Sequence, residues 1–217
     1  MCIRDRLRTS ANYILDDLVY SIVQDTLYTY STRGGAVQDE ILLRTNSQNH
    51  QFFGNSLHYN SDSTVYQLDL NTLEIDSLDF DSEIIEIAAE EFRIGVLTGT
   101  SSNFKLYQGF QLDNLIEINI DESISMEVSL INKSFGFIKN RIVLLSDGAV
   151  YLTESAVEII EEDKVNFERV WNFGLNHLNN FVYAFNPESI EYFDIDRNSY
   201  GELDHNLNNF QHFFILD

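Results

Sequence analysis

Five copies of a short aliphatic–aromatic motif, with a strand-like run before each and another after each, predict an all-β chain. The predicted architecture is a β-propeller of about five four-stranded blades, because four short strands per ~41 residues make one blade unit. A lone four-stranded meander cannot bury both of its faces, so such units must stack on one another. Apart from residues 1–6, the whole chain, 7–217, is assigned to this architecture, as an incomplete ring.

The motif reads Thr26-Leu27-Tyr28-Thr29-Tyr30, Thr64-Val65-Tyr66-Gln67-Leu68, Phe104-Lys105-Leu106-Tyr107, Ala149-Val150-Tyr151-Leu152 and Ile190-Glu191-Tyr192-Phe193. Its tyrosines are 38, 41, 44 and 41 residues apart. The preceding runs are 18–23, 56–60, 92–98, 141–145 and 181–185. The following runs are 41–43, 73–78, 115–120, 156–160 and 200–203. Asp147-Gly148 between two β-branched runs signals a type I′ hairpin, whose two central residues need positive φ. Asp69 to Leu73 and Asp196 to Ser199 read as longer turns held by Asx hydrogen bonds. A more apolar run opens the later units, at 84–89, 128–138 and 167–173. The blades then cover 12–45, 50–80, 84–121, 124–162 and 165–205, and 208–217 opens a sixth.

Two of the opening runs also fit helical spacing: Ile84, Ile85, Ala88, Ala89 and Phe92, and Phe167, Val170, Trp171, Leu175 and Leu178. A continuous apolar run is read either as a fully buried strand or as a short helix, and periodicity alone does not separate them. Both readings stand for 84–89 and for 164–180.

The chain carries 13 basic and 35 acidic residues, a formal charge of −22, with 44% hydrophobic and 13% aromatic residues. That apolar content supports a packed core. The charge disfavours nucleic acid and anionic membrane surfaces as partners, and no run approaches the ~20 apolar residues of a membrane helix. Met1-Cys2-Ile3-Arg4-Asp5-Arg6 resembles a translated sequencing-adapter read-through and no signal peptide. On that reading Cys2, the one cysteine, is not native, the natural start is missing and the chain is a fragment. A ring seldom closes inside a first strand, so 208–217 reads as a truncated C-terminus as well. Scarce lysine (four residues) and abundant acid suit an extracellular, periplasmic or cell-surface protein, with a cytoplasmic one as the alternative.

Ser63 to Glu74 (STVYQLDLNTLE) resembles the core repeat of the PQQ-like and YVTN-type propellers, and Ser146-Asp147-Gly148-Ala149-Val150-Tyr151 resembles its start. The resemblance covers two repeats well and three loosely, and it implies a fold, not an activity. Leu73 stands where the repeat usually has glycine, and the single Trp171 leaves the other units without a docking tryptophan. Gly34-Gly35 is the only glycine doublet, which disfavours kelch repeats, and WD40-type pairs and complete Asp-boxes are missing.

The histidines at 50, 58, 177, 205 and 212 form no metal-ligand spacing. His58 lies in an alternating strand and reads as a surface or cross-strand residue. No nucleophile elbow and no phosphate-binding glycine loop occurs, so no catalytic or cofactor-binding residue is assigned. Asp194, Asp196 and Asn198 form a D-x-D-x-N spacing that reads either as a hairpin turn or as a calcium loop. The calcium-loop pattern fails at its sixth and twelfth positions, Ser199 and His205. Acidic groups at 158–163 and 76–83 read as solvated outer edges that oppose edge-to-edge aggregation.

The functional expectation is a non-catalytic binding or assembly module, presenting loops to a protein or a surface glycan. The rival is a secreted hydrolase, lyase or quinoprotein-like enzyme with a calcium ion or cofactor in a central channel.

Overall fold

The computed structural model describes residues 11–90, 93–124, 134–168, 170–186 and 189–203. The hexapeptide 1–6, His205, His212 and the sixth-blade segment 208–217 lie outside them, as do 128–133 of one predicted opening run and Phe92 of another. Among the described residues the regular elements are strands, apart from one-turn 3-10 segments at Leu112–Asn114 and Glu161–Asp163. The strands form five antiparallel meanders of blade type, which makes the fold class β-propeller. The chain divides into two compact units, residues 1–87 and 88–217.

The first unit holds two sheets. β1 (Ala11–Leu15), β2 (Leu18–Val23), β3 (Thr26–Ser31) and β4 (Val37–Leu42) pair in chain order. β5 (Gln48–Phe53), β6 (Ser56–Ser61), β7 (Thr64–Asp69) and β8 (Ile75–Asp79) do the same. Alternation sends one face of each sheet into a shared core of Tyr20, Ile22, Leu27, Leu43, Leu57, Tyr59, Leu68 and Leu70. Tyr13 stacks on Phe52 at 5.2 Å to extend it. Each fully buried aliphatic side chain contributes about 1.5–3 kcal/mol.

The second unit holds three sheets. β9 (Ile84–Glu90) begins before the boundary and pairs on with β10 (Arg93–Thr100), β11 (Asn103–Gly109) and β12 (Ile116–Ile120). The fourth sheet contains β13 (Phe135–Ile138), β14 (Arg141–Ser146), β15 (Ala149–Thr153) and β17 (Lys164–Val165). The fifth contains β18 (Asn172–Asn176), β19 (Phe181–Phe185), β20 (Ile190–Asp194) and β21 (Ser199–Leu203). The two runs with helical spacing are thus settled as strand and loop. Residues 84–90 form β9, a strand so apolar that both its faces fit a core. In the second run β18 begins only at Asn172, later than the expected 167–173.

Packing between these sheets explains two residue choices. Phe135 and Phe137 lie edge to face, 6.1 Å apart, and are essentially unexposed. A Cβ on Gly95 would come within 2.5 Å of the Phe135 ring, so only glycine lets β10 lie against them. The opposite face of the fourth sheet (Ile138, Val143, Leu145, Val150, Leu152) packs with Phe173, Val182, Ala184 and Phe193 of the fifth.

One predicted outer strand is corrected. The run 156–160 yields β16 (Glu158–Ile159), which leaves its own sheet and adds in parallel to β12, the outer strand of the preceding one. Asn119 and Asp121 donate their backbone N–H groups to the carbonyls of Val157 (2.8 Å) and Ile159 (2.9 Å). Gln108, itself buried, donates its side-chain amide to the Ala156 carbonyl at 2.7 Å, and Ile159 is fully buried. The fourth sheet closes instead with the two-residue β17.

The Asp147-Gly148 hairpin forms as predicted, with φ of 46° and 71°. A second regularity was not foreseen in full. In the first, second and fifth sheets the turn from third to fourth strand has one geometry. A polar side chain at its start accepts hydrogen bonds from the turn's own N–H groups. The next residue donates its N–H across to the preceding hairpin, and the fifth position is left-handed. The three starters are Ser31, Asp69 and Asp194. The donations are Thr32 to Asp17, Leu70 to Asn55 and Ile195 to Asn180, at 2.9, 2.8 and 3.1 Å. The left-handed residues are Gly35, Leu73 and Asn198, with φ of 60°, 62° and 50°.

Candidate functional site

Side chains able to do chemistry gather at three places. In the first unit, Asp25 follows β2 in a tight turn and Ser47 and His50 lie at the start of the second sheet. Asp25 Oδ1 accepts hydrogen bonds from the Ser47 backbone N–H (2.8 Å) and hydroxyl (2.9 Å), and His50 Nε2 lies 3.0 Å from the same Oγ. The order is therefore Asp–Ser–His. Nucleophilic catalysis needs the imidazole as base on the hydroxyl and the carboxylate behind the imidazole. Here the hydroxyl proton already faces Asp25, so the arrangement clamps the loop 44–47. The two bonds from Ser47 hold the Asp25 carboxyl below its usual range, and burial lowers His50 against the opposing pull of Asp25.

In the second unit the ends of first strands converge. Glu90 closes β9, Lys139 follows β13 and His177 follows β18, equivalent places in three successive repeats. Glu90 Oε2 lies 3.3 Å from His177 Nε2 and accepts the Phe137 backbone N–H at 3.3 Å. Both side chains stay partly exposed. Lys139 pairs with Asp196, whose other oxygen accepts from the Asn180 amide at 2.9 Å.

The same region contains the D-x-D-x-N residues. Asp194 ends β20, is buried, and accepts the N–H groups of Asp196 and Arg197 through one oxygen at 3.0 Å each. Arg197 Nε lies 3.7 Å from the other oxygen. Asp196 is engaged by Lys139 and Asn180, and Asn198 supplies the left-handed turn position. The three residues thus shape the β20–β21 hairpin. Among the described residues no group of three or more His, Cys, Asp or Glu side chains converges as a metal site.

His58 was expected at the surface or across a strand pair. It is cross-strand, opposite Gln67 and Gln51, but buried at 6% exposure. Burial drives it down to about 4 against a raising hydrogen bond from Gln67, and Nδ1 has no partner among the described residues. The Glu90–His177 pair was missed by the sequence reading. Its one available signal was repeat register, which aligns both residues with the first hairpin of their blades.

The third place is loop surface. Phe110 (72% exposed), Trp171 (57%) and Leu178 (80%) sit on connections in the second unit. Val170 donates its N–H to Gly148, and Trp171 donates its own to Phe185, so the segment bearing Trp171 is fastened between two hairpins.

The five blade-type sheets place the fold in the β-propeller class. No protein-family model and no curated protein sequence matches the chain. Among solved structures, it is similar to the extracellular domain of BT4673 from B. thetaiotaomicron, with a TM-score of 0.62 and 16% identity over 95% of this chain. The AfRom2 CNH domain gives 0.59 and 12% over 89% of this chain and 69% of that domain. Kluyveromyces lactis Hsv2 gives 0.55 and 12% over 88% of this chain and 63% of that one. The chain spans 29% of the length of the BT4673 domain. No helix among the described residues is long and apolar enough to cross a membrane.

Proposed function

We propose that this chain is part of a non-catalytic binding module, outside the cytoplasm, that presents preorganised loops to a protein or surface-glycan partner. The observation that carries the reading is where the loop carboxylates and hydroxyls are spent. Asp25, Asp69, Asp121 and Asp194 each accept N–H groups of a turn, which fixes loop shape before any ligand arrives. Preordered loops lose less entropy on binding, which is how rigid scaffolds gain affinity. Trp171 is the contact of choice: an exposed indole stacks on a sugar ring or caps a peptide side chain at little cost in side-chain entropy. Similarity to an extracellular domain supports the location, and the repeat unit is of the PQQ-like and YVTN-type kind. The reading assigns no bound cofactor.

Trp171 is the only tryptophan in the chain, so its fluorescence reports one site. Titration with a panel of oligosaccharides and peptides should give a saturable change with one class. Trp171→Ala should weaken that binding at least tenfold with the melting temperature unchanged. Conversion of the ligand to product, or activity dependent on added Ca²⁺ or PQQ and lost with Asp194→Ala, would favour the enzyme instead.

A further inference from the structure

The two faces of the fifth sheet are built from different residues. The face packed on the fourth sheet carries Phe173, Val182, Ala184 and Phe193, all buried. The other face carries a cross-strand row, Gly174–Tyr183–Tyr192–Gly201, with Phe181 beside it. Phe181 stacks on Tyr192 at 5.1 Å and 22°, and Tyr183 lies 6.0 Å from Phe181 and 6.2 Å from Tyr192. A Cβ on Gly201 would fall 2.2 Å from the Tyr192 ring, so that ring lies down over the outer strand. The result is an aromatic slab whose three rings are only half-buried.

We propose that this slab is the docking surface for the chain's own residues 208–217, added as the first strand of a further blade. Three observations choose that occupant. In three of the four other cases the connection from an outer strand to the next first strand takes 5 residues (β4 to β5), 4 (β8 to β9) or 6 (β17 to β18), and β12 to β13 takes 14. The same step from Leu203, where β21 ends, arrives at 208–210. The sequence there, Phe210 and then Phe213-Phe214-Ile215-Leu216, is mostly apolar, as are β9 (IIEIAAE) and β13 (FGFI). A tether of a few residues also gives the segment a millimolar-range effective concentration at the slab, ahead of any separate molecule.

The test is hydrogen exchange with tyrosine nitration, read by mass spectrometry on the full chain. Amides of 210–216 should exchange at least 100-fold slower than unstructured rates, and Tyr183 and Tyr192 should nitrate slowly. Phe214→Asp should abolish that protection and speed nitration of both tyrosines at least tenfold, with buried Tyr151 still unreactive as the folding control. Should the variant not fold, the native pattern decides alone. Unprotected 208–217 amides with freely reactive Tyr183 and Tyr192 overturn the proposal. So does a dimer mass in light scattering with concentration-dependent tyrosine protection, which gives the slab to a second copy.

Discussion

Leu73 and His58 are two residues whose local chemistry opposes their place in the fold. Leu73 holds φ at 62°, where a side chain crowds the following carbonyl at a cost of about 1–2 kcal/mol, and half its surface faces solvent. Gly35 takes the equivalent place in the first sheet without that cost. Leu73→Gly should therefore stabilise the chain by about 0.5–1 kcal/mol after the added unfolded-state entropy is subtracted, measured as a rise in the urea midpoint at unchanged m-value. His58 acts through pH. Its folded value of about 4 lies below the unfolded value of 6.5, so between these the unfolded chain binds a proton that the folded chain refuses. The stability is complete above pH 6.5 and falls as pH drops towards 4, by up to about 3 kcal/mol. Denaturation series at pH 7, 5.5 and 4 should show that slope, and His58→Gln should flatten it to what His50 contributes. Neither position was fully legible in the sequence. The missing repeat glycine flagged Leu73, but alternation alone could not say that both faces of β6 are buried.

Strands were the most legible elements. Tyr28, Tyr66, Tyr107, Tyr151 and Tyr192 all fall on third strands, because β-branched and aromatic alternation fits a half-buried pleat and the turn residues between runs fix where each strand ends. Legibility failed where pairing is non-local. The run 156–160 has the composition of an outer strand, and composition does not state which edge it joins. Gln108 decides that through its bond to the Ala156 carbonyl, a contact 48 residues long. Gln108→Leu should leave that carbonyl unsatisfied and cost about 1–3 kcal/mol. The Asn119 and Asp121 amides should exchange faster while those of β19 and β20 keep their rates, read by hydrogen-exchange mass spectrometry.

For the molecule as a whole, the repeat fixed architecture and left chemistry open. Carboxylates are so numerous that no pair of them stood out, and those with assigned work, Asp69 and Asp194 among them, turn out to shape loops. The Glu90–His177 pair spans three repeats, and only a superposition of the units brings its members together. The parallel β16 also bears on how the chain is made. The outer edge of the third sheet stays open until residues about 40 positions later have been synthesised. At 5–20 residues per second that is a wait of roughly 2–8 s on the ribosome. The nascent chain therefore cannot finish its blades strictly one after another: the third is sealed only once most of the fourth has emerged.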